Sequence, residues 1–343
     1  MTQRGRPPRD AVYRRLDEAV RELREWMGGL PGPAEAEDIR SNLWHRETHN
    51  STAIEGNTLI LREVEQLLEE GRAVGSKPLR DYLEVRAYAD AAHWVYGRAI
   101  EPGEWIAGAL VSLQEIRHIH HVCMSPAWQA DPHPDASGAE GPGSFRRHQF
   151  AAFPGGMQPP SWVEVEGLMR TWVTDAAAIT DADAEPLPEA LARTHNDFER
   201  IHPFLDGNGR TGRLVLNLML GRLGYPPAII YKRERDRYLR AMRRADQGEY
   251  GPLGELIARS VTDNLHKFVI PAVAGPVKLV PLTALASDDI TENALRVAAT
   301  RGRLRAVKGD DGTWRSSKNW VDQYLANRYK RNSVLLPTRE ENT

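Results

Sequence analysis

The stretch from His202 to Arg213, His-Pro-Phe-Leu-Asp-Gly-Asn-Gly-Arg-Thr-Gly-Arg, gathers the residue types that do chemistry. His202 can move a proton near neutral pH. Asp206 offers a hard oxygen donor for a divalent cation. Gly207, Asn208 and Gly209 suit a loop with open backbone N–H groups. Arg210 and Arg213 come next, at the start of the apolar run Leu214-Val215-Leu216-Asn217-Leu218-Met219-Leu220. A glycine-rich turn that opens a helix is an anion site, because free N–H groups and the helix dipole point at the ligand. Two arginines three apart add charge on one face. On residues alone, this is a phosphate-binding loop with a built-in base and one metal ligand. The blander reading of His202 is a helix-end histidine bonded to a backbone carbonyl. Pro203, which fixes the turn, and Asp206 four residues on weigh against it.

The stretch also resembles the signature of the Fic (Fic/Doc) family, His-Pro-Phe-x-Asp/Glu-Gly-Asn-Gly-Arg-x-x-Arg, with every fixed position matched. The resemblance implies a mainly α fold, a Fic-type helical core with a short β-hairpin flap. It implies a protein adenylyltransferase, moving AMP from ATP to a Ser, Thr or Tyr hydroxyl of a protein. Carried over residue by residue, His202 is the base and Asp206 holds Mg²⁺. The backbone of Gly207, Asn208 and Gly209, the Asn208 side chain and Arg210 cradle the α- and β-phosphates. Thr211 and Gly212 complete that stretch, and Arg213 holds the γ-phosphate. Tyr238 and Asp246 align with family positions that touch the adenine, although an asparagine is usual where Asp246 stands.

Two further stretches join the signature. In Ser51-Thr52-Ala53-Ile54-Glu55-Gly56-Asn57, Ser51 and Glu55 share a helix face, and Gly56-Asn57 stops the helix. Taken cold, this is an ordinary capped helix end. It is similar to the family's inhibitory helix, Ser/Thr-x-x-x-Glu-Gly/Asn, which implies that Glu55 pairs with Arg213 and keeps ATP out. Residues 144–160 read as two extended pieces around Pro154-Gly155-Gly156, a short hairpin. They resemble the family's flap, which would place Phe150, Ala151, Ala152 and Phe153 against a target segment by strand addition.

These elements must be positioned by a chain of 343 residues, enough for two or three domains. The formal charge of −2 excludes a molecule that binds nucleic acid by bulk charge. The single cysteine, Cys123, excludes a disulfide framework and fits a reducing compartment. No apolar signal region and no membrane-length apolar run occur, so a cytoplasmic protein without membrane partners is expected. The expected domains are a disordered 1–9, an N-terminal helical region 10–100 with the inhibitory helix at about 39–57, a core at 101–270, a linker at 271–281, a winged-helix-like segment 282–332 and a tail 333–343. Within the core, apolar spacing predicts a helix from Glu104 to Val122 ending in His118, His120 and His121. Their spacing spreads them around the helix, so they are expected to be surface or helix-end histidines rather than a metal site.

The C-terminal composition shifts. Residues 291–331 hold ten Lys/Arg against four acids, a local +6, which leaves about −8 for the rest. Thr291 can cap a helix through Thr300, two short strands flank Gly309-Asp310-Asp311-Gly312, and a last helix runs from Lys318 to Tyr329. This order is similar to the excisionase/MerR winged helix-turn-helix, with DNA as the implied partner; a protein-docking module with a solvated basic face is the plain reading. The expected partners are therefore a protein substrate, the chain itself included, a second copy in a homodimer, and DNA through this segment. The signature leaves open the donor, the reverse reaction (removal of AMP) and a DNA-binding regulator whose nucleotide site only senses.

Overall fold

Apolar residues at helical spacing become helices through most of the chain. The structure, a computed structural model, describes residues 7–27, 29–31, 37–100, 110–179, 185–309 and 311–328. It divides into two units, Met1–Val269 and Ile270–Thr343. The first holds helices α1 (Arg9–Met27), α2 (Glu37–Ile54), α3 (Leu61–Glu70), α4 (Leu79–Ile100), α5 (Leu113–Ala130), α6 (Val165–Ala177), α7 (Leu187–Ile201), α8 (Asn208–Arg222), α9 (Arg235–Ala245) and α10 (Gly251–Asn264). Residues 1–6 of the expected disordered stretch lie outside the described residues. Arg9 already opens α1.

Helix α8 is the axis of the first unit. It packs against α2, α4, α5 and α7. Leu214, Val215, Leu216, Leu218, Met219 and Leu220 are each 1 % exposed or less, so the helix is buried all round. Each buried side chain of that size stabilises the fold by about 1.5–3 kcal/mol. Polar groups on such a helix need partners. Asn217 finds them: its Nδ2 donates to Glu47 Oε1 at 2.6 Å, and its Oδ1 accepts from the Ala228 N–H at 2.8 Å. Glu47 lies on α2, where the hydroxyls of Tyr88 and Tyr96 on α4 also donate to it. This buried knot ties α2 to α4 and α8. Ser51 and Glu55 follow at four and eight residues, so the same face of α2 meets the start of α8.

Three sequence expectations change here. The helix expected from Glu104 begins at Leu113 instead. Ser112 Oγ accepts from the Glu115 N–H at 3.2 Å and Glu115 Oε2 accepts from the Ser112 N–H at 2.8 Å, a reciprocal cap that starts a helix at that point. Residues 101–109 lie outside the described residues. Because α5 runs on to Ala130, all three histidines fall in mid-helix: His118 and His121 are exposed, as expected, but His120 is only 2 % exposed. The expected flap hairpin has no strand ladder. The Phe153 N–H donates to Met157 O at 2.8 Å around a Pro154–Gly156 turn, and the flanks belong to no strand. Two consecutive glycines at φ 118° and 93° and the prolines at 154, 159 and 160 deny the ladder its donors and its regular backbone.

The second unit begins with α11 (Ile270–Val273) and β1 (Val280–Pro281), where a plain linker was expected. A 3₁₀ turn at Leu282–Leu285, α12 (Glu292–Thr300), β2 (Val307–Lys308), β3 (Trp314–Ser316) and α13 (Lys318–Asn327) follow. Thr291 and Ser317 cap the two helices through their side-chain oxygens, as Thr/Ser N-caps do. The strands form one antiparallel sheet in the order β1-β3-β2, pairing Val280 with Ser316 and Val307 with Arg315. Leu282, Ile290, Leu295, Ala298, Ala299, Leu304 and Val321 make its own core. The first strand was missed because two residues carry no alternation to read. The tail 333–343 lies outside the described residues.

Candidate active site

Helix α7 stops where His202 turns left-handed, at φ 51°, the one non-glycine residue with positive φ among those described. Such backbone persists only where its surroundings hold it. Arg146, 1 % exposed, does this: its Nε donates to His202 O at 2.7 Å, and its N–H donates to Pro203 O at 2.8 Å. The His202 ring then sits with Nδ1 3.2 Å from Glu199 O, a contact that requires a proton on Nδ1 and leaves the Nε2 lone pair for chemistry. The rings of Phe150 and Phe153 stand 5.3 and 4.8 Å from it, while Ala151 and Ala152 are exposed between them. Burial pushes the His202 pKa down to about 4, so the imidazole is neutral at neutral pH.

From His202 the chain loops to α8 over a support that the sequence did not reveal. Phe204 stacks on His120 at 3.7 Å between centroids and 2° between planes. His120 Nδ1 accepts from the Gly143 N–H at 2.7 Å, so its proton lies on Nε2, which donates to Asp206 O at 2.9 Å. Burial holds that ring neutral, with a pKa near about 3. Asn208 was expected to turn its side chain to phosphate. Instead both ends of its amide bond to Phe204, at 2.9 Å from the Phe204 N–H and 2.8 Å to Phe204 O, which staples the loop. Gly207 takes φ 78°, and a Cβ there would stand 2.4 Å from Met124 Sδ, so no side chain fits. The first intrahelical bond is Thr211 N–H to Gly207 O. The N–H groups of Asn208, Gly209 and Arg210 precede it and leave the helix start as an anion seat.

The charged groups converge on this seat. Asp206 Oδ1 accepts from the Gly207 N–H at 2.6 Å and faces Arg210 Nη2 at 3.3 Å, and Asp206 Oδ2 faces Arg80 Nη2 at 3.5 Å. Burial opposes its ionisation, but the Arg210 charge, the Gly207 bond and Arg80 outweigh burial and hold the carboxyl below its usual range. Arg210 is 4 % exposed and also faces Glu84 Oε1 at 3.4 Å. Thr211 and Gly212 are buried on the inner side of the first turn. Arg213, 4 % exposed, is fully engaged: Nε donates to Ser51 Oγ at 2.8 Å, Nη2 to Ser51 O at 3.0 Å and to Glu55 Oε1 at 2.7 Å. Gly56, at φ 104°, follows Glu55 in the turn that ends α2. Burial raises the Glu55 pKa less than Arg213 and Arg210 lower it, so the carboxylate is held ionised. A Cβ on Gly209 would lie 2.5 Å from Glu55 Oε1. The carboxylate thus lies against the first turn of α8 as well as against Arg213.

The remaining predicted residues sit to one side. Tyr238 on α9 is buried and hydrogen-bonds His195 at 2.7 Å; burial first, then the Glu199 carboxylate, raises its pKa. Asp246 caps the end of α9, and its Oδ1 accepts from Asn196 Nδ2 at 2.9 Å. Sequence reading missed Glu199 altogether. Its Oε1 is buried without a hydrogen-bond partner, and burial lifts its pKa to about 8. It also missed Glu47, for which a signal existed: the position four before Ser51 on the same helix face.

Comparison with known proteins identifies the family. Residues 110–220 match the family model described as Fic/DOC family. The chain is 31 % identical over 251 residues to a mosquito protein (Aedes aegypti) named protein adenylyltransferase Fic, covering 72 % of this chain and 45 % of that protein. It is 30 % identical over 230 residues to the same-named protein of Drosophila willistoni, covering 67 % and 42 %. The chain therefore spans less than half the length of these curated relatives. Among solved structures, Fic-1 (residues 134–508) of C. elegans superposes with a TM-score of 0.61 at 25 % identity, covering 77 % of this chain and 71 % of that one. A Fic-domain signalling protein of Bacteroides thetaiotaomicron gives 0.62 at 21 % identity, covering 76 % and 96 %.

Proposed function

From the premise that residues 110–220 belong to the Fic/DOC family, we propose that the chain is an autoinhibited protein adenylyltransferase. It transfers AMP from ATP to a hydroxyl of a protein substrate, the chain itself among the candidates. The observation that supports this most is the convergence at one helix start of open N–H groups, two buried arginines and a neutral imidazole with its Nε2 lone pair uncommitted.

The residues divide the work. The N–H groups of Asn208, Gly209 and Arg210, with the Arg210 guanidinium, bind the α- and β-phosphates. Arg213 binds the γ-phosphate once Glu55 has left. His202 Nε2 takes the proton from a Ser, Thr or Tyr hydroxyl, whose oxygen bonds to the α-phosphorus. The bond from that phosphorus to the α,β-bridging oxygen breaks and pyrophosphate leaves with the electron pair. Positioning and charge neutralisation carry most of the effect. Tyr238 and Asp246 border the adenine, and Phe150 to Phe153 hold the target backbone over His202.

The donor set at Asp206 fits Mg²⁺. It is a single ionised carboxylate beside a phosphate seat, and Mg²⁺ is commonly held by one or two carboxylates plus substrate phosphates. Bound there, the ion would neutralise charge on the phosphates and the departing pyrophosphate.

Incubating the Glu55→Gly protein with ATP and Mg²⁺ and measuring its intact mass tests the reading. A gain of one AMP unit is expected; a mass unchanged with ATP but raised by another donor replaces the donor. Incubation of pre-adenylylated target with both forms separates the reverse reaction, in which Glu55 orients a water.

A second role rests on the C-terminal unit. Arg301, Arg303, Arg305 and Arg328 with Trp320 and Tyr324 line a groove of about 1180 Å³. Such a groove suits the phosphate backbone of DNA. Binding to a duplex should then weaken steeply with salt and with Arg303→Glu.

A further inference from the structure

A second basic groove lies on the first unit, away from the nucleotide seat. It has a volume of about 920 Å³ and runs between α5, α6 and the segment Ala139–Arg147. Arg117, Arg147 and Arg170 face it, and Glu166 is the one acid among the described residues lining it. Glu166 is already paired with Arg170 at 2.7 Å. Neither the Arg117 nor the Arg147 guanidinium has a carboxylate partner among the described residues; the buried Glu140 carboxylate in the same wall accepts from the Arg147 backbone N–H. Arg117 donates to Gly143 O and stacks over the Phe145 ring, so its charge is fixed at the wall. The rim is apolar: Trp162 is 41 % and Val163 65 % exposed. A basic groove stands out here, because the chain outside residues 291–331 carries about −8.

The groove leads somewhere. Its wall Gly143–Arg147 continues directly into Phe150 and Phe153, whose rings stand on His202. Arg146 joins the two regions, donating to His202 O, His148 O and Pro160 O. The wall of the groove and the surround of the imidazole thus belong to one continuous segment.

We infer that this groove docks an acidic segment of the protein substrate, with an apolar side chain against Trp162 and Val163, and so sets which hydroxyl reaches His202. The inference rests on the transferase reading for the identity of its occupant, but the binding itself can be measured without transfer. Opposite charge across such a surface mainly speeds encounter and selects partners. The segment Phe150–Phe153 offers main-chain contacts that read register, so selection by charge must come from a neighbouring surface such as this one.

The test uses the full chain carrying His202→Ala, so that no group is transferred. Fluorescein-labelled random copolymers, poly(Glu,Tyr) and poly(Lys,Tyr), are titrated by anisotropy. Poly(Glu,Tyr) should bind, and the Arg147→Glu/Arg170→Glu variant should weaken it about tenfold or more, with steep salt dependence. Arg147→Gln/Arg170→Gln should fall between, and melting curves check that each variant is folded. Arg303→Glu/Arg305→Glu in the other groove should weaken binding less. Equal binding of poly(Lys,Tyr), insensitivity to the Arg147/Arg170 pair, or a larger loss through the Arg303/Arg305 pair overturns the inference. So does a mixed-sequence single-stranded DNA that competes equally through Arg147 and Arg170, because the groove would then read phosphate. In the Glu55→Gly protein, poly(Glu,Tyr) should be labelled with AMP in preference to poly(Lys,Tyr). Arginine-dependent binding without labelling by any donor upholds the docking surface and sinks the transferase. Labelling without arginine-dependent binding does the reverse.

Discussion

Glu55 and Arg213 stand 158 residues apart in the chain, and the Glu55 carboxylate accepts a 2.7 Å hydrogen bond from Nη2 of Arg213. The guanidinium is buried and the carboxylate more than a third exposed, so the pair has one fixed and one releasable member. Ser51 makes two further bonds to Arg213. Those bonds hold the arginine independently of Glu55.

Glu55→Gly should raise self-modification and ATP turnover at saturating Mg²⁺. Removing one partner of this pair leaves a buried cation that a γ-phosphate can satisfy. A rate equal to or below wild type would show that the contact does not hold the enzyme off. In the same variant, isothermal titration should show tighter ATP binding.

His202→Ala should reduce transfer by about 10²–10⁴-fold, the usual contribution of a general base. ATP binding should change little, because in the proposed reaction His202 meets the target hydroxyl rather than the phosphates. The ring pKa near about 4 gives a separate readout. Its folded value lies below the unfolded 6.5, so the unfolded chain takes up a proton that the native state refuses between those values. Stability is therefore lost as pH falls from about 6.5 towards 4, and the His202 ring resonances should not titrate above about pH 5.

His120→Phe tests the support of the loop. Phenylalanine keeps the stack on Phe204 but leaves Asp206 O and the Gly143 N–H without their partner. Buried groups left unpaired cost about 1–3 kcal/mol each. A lower melting temperature is expected, together with a KM for ATP that rises more than kcat falls, since the loop rather than the base is disturbed. Unchanged KM would mean that the loop holds its shape without His120.

Glu199→Gln addresses the buried carboxyl beside Gly212. Its folded pKa, near about 8, exceeds the unfolded 4.5, so the native state keeps a proton that the unfolded chain releases between them. That stabilising contribution is present below 4.5 and lost as pH rises to about 8. Glutamine does not titrate, so the melting temperature of the variant relative to wild type should climb between pH 5 and 8, by about 2–4 °C for each kcal/mol involved. A difference that stays flat with pH would mean that Glu199 is ionised in the native protein.

Chelation with EDTA should abolish transfer and leave the melting temperature of the ligand-free protein unchanged, since one carboxylate alone holds Mg²⁺ weakly. A drop in melting temperature would point to a resident structural metal instead.

The sequence by itself determined the helices and the contiguous loop His202–Arg213. Both follow from local rules: apolar residues recur at 3.6 positions, and a glycine-rich turn must precede a helix that is buried all round. It determined the cap at Thr291 for the same reason. Where a competing cap stood, as with Ser112 and Glu115, the apolar pattern misplaced the start of the helix. Only the tertiary structure decided that His120 supports Asp206 from 86 residues away, that Glu47 ties the α2 face to α8, and that Asn208 turns inward. No spacing rule reaches such pairs, because burial chooses a polar partner in space and leaves no period in the chain. The flap shows the same limit in reverse: its residues favour extension, but a ladder needs donors opposite one another, and prolines and left-handed glycines remove them.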